Sequence, residues 1–260
     1  MQQNMTWIAN AAKRLGAHNM KALIISDIHS NIYSLKAIWE KEKDCDVIFC
    51  AGDLVDYGPF PKEVIQWCRE RNVTAVKGNH DEDVINHFYS GIKLKDIPEE
   101  ERTWVHYNAS QLDESDIAYL KALPYHAAFT MDGIHYCMKH SYIHRSYETI
   151  ESRIQFLDFW NEYANNPESE QKRVIFGHTH YQAVHYLGDQ ELWLNPGSTS
   201  YRPSRQSIDL SQDAHYMTIT GGQIQFKRVS YDLSPLYDAV KDLKMKESQL
   251  NVAYRFFKPR

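Results

Sequence analysis

Between residues 21 and 81, short apolar runs alternate with amphipathic ones. The stretches KALIISDI (21–28), DVIFCAGDL (46–54) and VTAVKGNH (73–80) have strand length. Residues 31–43 read as a helix with Leu35, Ile38 and Trp39 on one face. Pro61 opens a second helix whose Val64, Ile65 and Cys68 point inward, since proline suits a first helical turn. Apolar strands separated by helices predict βαβαβ and a buried, largely parallel sheet. Residues 82–124 then turn helical and charged, and the helix of Ser115, Asp116, Ile117, Leu120 and Leu123 stops at Pro124. This segment is either a cap beside a site or an insertion packed on the body. Residues 125–231 predict antiparallel hairpins, at Asp132-Gly133, at GDQ (188–190) and at Gly221-Gly222. A last helix is expected over about 233–250, within a C-terminal tail of residues 233–260.

Ahead of Met20, residues Trp7, Ile8, Ala11, Ala12 and Leu15 recur at helical spacing. Residues 1–19 thus read as an N-terminal extension, either a short docked helix or the product of an upstream start codon. The stripe is short and only Lys13 and Arg14 are basic, so a membrane-surface helix is disfavoured. With no repeat in evidence, residues 1–260 are expected to form one α/β domain.

Composition narrows the functional classes. The 260 residues are 43% hydrophobic and 13% aromatic, enough for a substantial core, and the net charge is −5. No basic face for nucleic acid is advertised, and no apolar run approaches the ~20 residues of a membrane span. Cys45, Cys50, Cys68 and Cys137 lack paired spacing, which suggests reduced thiols and a cytoplasmic location.

The chemistry gathers where apolar runs end. IISDIHS supplies Asp27 and His29 two residues apart, FCAGDLV supplies Asp53, and VKGNHDE supplies Asn79, His80 and Asp81. YCMKHS supplies His140, which closes its strand as His144 does not, and VIFGHTH supplies His178 and His180. Sites of open α/β sheets form at the carboxyl ends of strands. Carboxylate, amide and imidazole without cysteine suit borderline divalent ions and argue against structural zinc. Seven candidate ligands are too many for one ion and suit two that share a bridge. Two metals ~3.5–4 Å apart can supply a hydroxide and clamp an in-line displacement at phosphorus.

In this order the motifs DxH, GD, GNHD, a lone His and GHxH resemble the calcineurin-like metallophosphoesterase superfamily, over residues 21 to about 231. Through GDLVDYGPFPKEVI (52–65) and NPGS (195–198) the chain is similar to its small bacterial and archaeal phosphodiesterase-like branch. The resemblance implies a four-layer αββα sandwich of two mixed β-sheets flanked by helices. It implies that Asp27, His29 and His180 hold one divalent transition metal (Mn, Fe, Zn, Co or Ni). Asn79, His140 and His178 then hold a second, and Asp53 bridges. It also implies that His80 is the general acid, held by Asp81, and that a bridging hydroxide attacks. Ser30 and Ser141 stand where glycine is common, and their hydroxyls are candidates for altering which substrate fits. Arg202 or Arg205, after NPGS, is a candidate phosphate contact. Glu82 and Asp83 are expected either to face solvent or to form a charge pair at a helix N-terminus.

The implied activity is hydrolysis of a phosphodiester or phosphoanhydride in a small phosphoester or nucleotide. The alternatives are a phosphomonoesterase or protein phosphatase, a dinucleoside polyphosphate hydrolase, and a non-catalytic scaffold of the same fold. The presence of His80 weakens the last.

Overall fold

The computed structural model describes residues 19–166, 168–200 and 212–257. The N-terminal helical pattern and both candidate arginines, Arg202 and Arg205, lie outside these residues.

Two five-stranded sheets face each other. In the first, β1 (Lys21–Ile25), β2 (Val47–Cys50) and β3 (Thr74–Ala75) are parallel, and β9 (Ala214–Thr220) and β10 (Gln223–Val229) extend the β1 edge antiparallel. The second sheet runs β4 (His126–Met131), β5 (Ile134–Lys139), β6 (Lys172–Ile175), β8 (Glu191–Pro196) and β7 (Gln182–Gly188). The β5–β6 and β6–β8 pairs are parallel, so this half is mixed rather than antiparallel. Local pattern missed this because the connection between β5 and β6 contains a helix, α6 (Arg153–Tyr163), which carries Phe156, Phe159 and Trp160 onto the sheet. A parallel pair needs such a crossover.

Alternation within the strands sorts side chains between layers. Ala22, Ile24, Val47 and Phe49 turn toward the second sheet and meet Phe129, Tyr136, Met138 and Leu194 in an inter-sheet core, where Phe49 and Phe129 stack at 3.9 Å. Leu23, Ile25, Ile48 and Cys50 turn the other way, against α1 (Ile32–Lys41), α2 (Pro61–Glu70), α3 (Asn79–Ser90) and α5 (Glu114–Ala122). The resulting order of layers is α, β, β, α, as the resemblance implied.

The segment after β3 departs from the sequence pattern. Only Thr74 and Ala75 pair with β2, and the chain turns into α3 at Asn79 instead of running on as strand. Between α3 and β4 lie two short 3-10 turns, α4 (Trp104–Gln111) and α5. The expected last helix is two, α7 (Ser234–Val240) and α8 (Glu247–Phe257), which pack with Trp104 in a separate apolar cluster. Among the described residues no helix is long and apolar enough to cross a membrane.

Candidate metal centre

The loops after β1 and β2 continue to hold each other past the last paired strand residues. The Asp27, Ile28, His29 and Ser30 amides donate in turn to the carbonyls of Gly52, Asp53, Asp53 and Leu54, at 2.8 to 3.1 Å. This zipper keeps an unusual backbone. Asp27, His29, Ser30, Asp53, Asp56 and Tyr57 all have φ between 49° and 76°, and His178 and His180 have 66° and 65°. Left-handed conformation costs an L-residue roughly 1–2 kcal/mol, so its concentration here marks a place where side-chain direction overrides local comfort.

Three motif glycines make the room. A Cβ on Gly52 would lie 2.7 Å from His140 Nδ1. A Cβ on Gly78 would land on Asp53 Oδ1, and one on Gly177 on Ser26 Oγ, with Asp27 Oδ2 at 2.8 Å. Each lets backbone approach a site side chain more closely than any other residue permits.

All seven candidate ligands are brought together, each at most 8% exposed. Asp27, His29, Asp53 and His180 offer ligand atoms within 4.8 Å of one another, and so do Asp53, His140 and His178. Asp53 belongs to both groups. His29 Nε2 and His180 Nε2 are 3.2 Å apart, and His180 Nε2 is 3.2 Å from Asp27 Oδ1. His140 Nε2 lies 3.0 Å from Asp53 Oδ2, 3.1 Å from Asn79 Oδ1 and 3.3 Å from His178 Nδ1. Lone-pair atoms of carboxylate, amide and imidazole converging so closely repel one another unless a proton or a cation lies among them. The donor set fits borderline divalent metal ions, and among the described residues buried His178 Nε2 has no hydrogen-bond partner.

Protonation agrees with that reading. Burial, reinforced by His180 and His80, holds His29 well below the usual imidazole range, and burial with His140 pushes His178 down to about 4. Both stand as neutral imidazoles, the ligating form. Burial disfavours the Asp27 and Asp53 anions, but facing histidines outweigh it and hold both carboxyls low. His140 is the exception. Burial opposes its charge, yet Asp53 above all lifts it to about 10. Its Nδ1 is 2.7 Å from the Ala51 carbonyl, so Nδ1–H donates there and Nε2 faces the cluster.

His80 sits beside the ligands rather than among them, its ring 5.1 Å from that of His29. Its backbone N–H donates to Asp53 Oδ1 at 3.0 Å. The carboxylate holding its ring is not Asp81. His80 Nδ1 lies 2.6 Å from Asp56 Oδ2, and Asp81 is turned away. At the third position of α3, Asp81 reaches back to the Gly78 N–H and accepts from Asp53, Leu54 and Val55 as well, at 2.9 to 3.2 Å. The helix explains the change. A residue following His80 in a strand could lie near it, but in a first helical turn the next side chain points about 100° away. Asp56 was visible in GDLVDYGP, but only its two-residue turn with φ of 76° and 55° brings it back under His80.

Other residues prove to be supports. Asn195 of NPGS donates to the Gly177 carbonyl at 2.6 Å, and Ser198 Oγ to the Asp27 carbonyl at 2.8 Å. The Ser30 hydroxyl donates to Asn108 Oδ1 at 2.5 Å, so it serves α4 rather than facing a substrate. Asn108 also accepts from the Asp56 N–H and donates to the Gly58 carbonyl, which ties the helical insertion to the turn carrying Asp56. Glu82 and Asp83 lie near the N-terminus of α3, as the second of the two expectations had it, and both also have partners across the loop. Glu82 pairs with His144 at 3.0 Å, and Asp83 with Arg145 at 2.6 Å.

Comparison with known proteins agrees with the architecture. The family model of the calcineurin-like phosphoesterase superfamily domain matches residues 20–213. The uncharacterized protein MJ0912 of Methanocaldococcus jannaschii is 44% identical over 64 residues, which span 24% of this chain and 26% of that one, about a quarter of its length. The crystal structure of a metallophosphoesterase from Sphaerobacter thermophilus matches with a TM-score of 0.65 at 24% identity, covering 92% of this chain and 99% of that one. Hypothetical protein PH1004 from Pyrococcus horikoshii matches with a TM-score of 0.70 at 16% identity, covering 93% and 99%.

Proposed function

The chain belongs to the calcineurin-like phosphoesterase superfamily, and from that premise we propose that it hydrolyses phosphodiester or phosphoanhydride bonds at a binuclear metal site. The observation that carries this reading is the sharing of Asp53 between the two ligand groups. Asp27, His29 and His180 would hold one ion, Asn79, His140 and His178 the other, and Asp53 both. Divalent ions bound there supply Lewis acidity toward phosphoryl oxygens and ease deprotonation of the attacking water.

The chain's own groups do the rest. Burial disfavours the His80 cation, but the carboxylates of Asp53 and Asp56 outweigh it and raise His80 to about 9. Near neutral pH the imidazolium donates Nδ1–H to Asp56, and its Nε2–H is the proton given to the departing oxygen. Asp56 fixes the ring, while the bond from the His80 amide to Asp53 fixes the acid relative to the proposed bridging carboxylate. The acid serves an alcohol or a phosphate leaving group, and diesters and anhydrides are the classes proposed from the resemblance. The carboxylate and amide oxygens suit manganese and the imidazoles suit iron, nickel or zinc, so manganese is supplied alongside other borderline ions. A reducing cytoplasm suits the four free cysteines.

The test is turnover of bis-p-nitrophenyl phosphate, p-nitrophenyl phosphate and diadenosine tetraphosphate by protein loaded with Mn, Co or Ni. The expected order places the diester or the anhydride above the monoester. Preference for the monoester would favour a phosphomonoesterase, and inactivity on all three would end the enzymatic reading.

A further inference from the structure

Tyr147 is 72% exposed, yet its ring stacks on that of His178, with centroids 4.7 Å apart and planes at 25°. One face of the ring is occupied by an imidazole of the candidate metal centre, and most of the remainder is open to solvent. The loop between β5 and α6 that carries it is tied down just upstream. The Arg145 guanidinium forks onto the Asp83 carboxylate at 2.6 and 3.2 Å, and His144 pairs with Glu82. An exposed arginine–carboxylate pair adds little stability, so the main effect of these contacts is positional. They register the loop against α3, the helix that opens with Asn79 and His80. A second tyrosine, Tyr57, contacts the rings of His29 and His80 at 5.2 and 4.7 Å, but it is half-buried. Among the described residues whose rings contact the candidate ligands, Tyr147 is the exposed one.

Resting on the phosphoester hydrolase reading, we infer that Tyr147 is a stacking platform for a flat π system on the substrate. The substrate class is then a phosphoester bearing an aromatic group, either a nucleobase or a simple aryl ring. With its phosphate at the metal centre, such a substrate lays its ring on the outer face of Tyr147, one ring beyond His178. Every nucleobase has a π face, so the platform selects aromatic over aliphatic esters without reading hydrogen-bonding edges. Tyrosine provides this area at small entropic cost, having only two side-chain torsions to fix.

The experiment is calorimetric binding of four ligands to the full chain loaded with Mn: inorganic phosphate, ribose 5-phosphate, phenyl phosphate and adenosine 5′-monophosphate. The wild-type protein is expected to hold the aromatic ligands about tenfold more tightly than ribose 5-phosphate. Tyr147→Ala should erase that difference while leaving ribose 5-phosphate and inorganic phosphate within twofold, and Tyr147→Phe should keep it. A preference for the adenine ligand over the phenyl one assigns the platform to nucleotides, and the reverse assigns it to aryl esters. Should Tyr147→Ala weaken all four ligands alike, or none, the stacking assignment is overturned while the hydrolase reading stands. Failure of inorganic phosphate itself to bind the metal-loaded protein would overturn both.

Discussion

His80 Nδ1 and Asp56 Oδ2 are 2.6 Å apart, and the His80 side chain retains only 18% of its exposure. A charge-assisted bond of that length joins an imidazolium to a carboxylate. Burial works against the His80 cation, but Asp53 and then Asp56 raise it to about 9. The dyad therefore keeps its proton through neutral pH and loses it in the alkaline range.

Turnover should fall along an alkaline limb whose midpoint lies above neutral pH and no higher than about 9. Metal ions would blunt the contribution of Asp53, whereas the Asp56 bond would remain. In Asp56→Asn the limb should move toward pH 6.5, with kcat reduced at least tenfold at pH 8. Metal-free protein offers a second readout. The folded pKa lies above the unfolded one, so the folded state binds the extra proton. The stabilisation is complete below about pH 6.5 and disappears as pH rises through about 9. Urea unfolding should show Asp56→Asn less stable than wild type at pH 6, with the gap closing by pH 10. A gap that stays constant with pH would mean that Asp56 is merely structural.

Gly78 tests whether the close backbone approach is needed for metal binding. Its φ of −97° suits any residue, so only space is at issue. A Cβ there would strike Asp53 Oδ1, the amide-bonded oxygen of the carboxylate common to both ligand groups. Gly78→Ala should cost about 1–3 kcal/mol of stability and weaken Mn binding at least tenfold by calorimetry. Gly91 is the matched control: it ends α3 with φ of 75°, and a Cβ added there would meet none of the described residues within 4 Å. Gly91→Ala should lose only about 1 kcal/mol, with metal affinity unchanged.

These two glycines also show what the sequence could and could not disclose. The residue types and their order at the ends of apolar runs brought Asp27, His29, Asp53, Asn79, His140, His178 and His180 under suspicion together, and all seven converge. Residues flanked by strong periodicity were legible because layer assignment follows from alternation. The partner of His80 was not, since it depends on whether the chain after Lys77 stays extended or turns helical. VTAVKGNH carries no local signal strong enough to decide that. What decides it is tertiary: the Asp81 carboxylate collecting amides from the loop after β2. Likewise α6 and the parallel pairing it permits were hidden, because Arg153–Tyr163 is amphipathic only weakly and its aromatics also suit strands.

Metal binding should be linked to proton release. His140 is held protonated up to about pH 10, since Asp53 overcomes the burial that disfavours its charge. A ligating imidazole must be neutral, so uptake of an ion displaces about one proton from it. Apparent Mn affinity at the site containing His140 should therefore rise about tenfold per pH unit between pH 6.5 and 9. Calorimetry in buffers of different ionisation enthalpy would measure the proton count. His178 and His29 are already neutral in this range and release none. Binding at 100 times Kd adds about 2.7 kcal/mol of stability, which corresponds to a Tm gain of about 5–10 °C, reversed by chelator. Metal analysis should find two ions per chain, and His178→Ala should hold one fewer.

Asp81→Asn separates the two carboxylates near His80. Asp81 accepts four backbone N–H groups through two oxygens. The amide keeps one oxygen and turns an NH2 toward donors that had an acceptor, leaving buried amides unsatisfied. Each such loss costs about 1–3 kcal/mol, so the variant should be destabilised by at least about 2 kcal/mol in urea unfolding. Its alkaline limb should nevertheless stay where the wild type has it, because the His80 ring bond runs to Asp56. The loop carrying Asp53 would loosen, so Mn affinity should drop together with stability. If Asp81→Asn moved the limb as far as Asp56→Asn does, Asp81 would regain the role of holding the acid, and the 2.6 Å contact of Asp56 would have to be secondary.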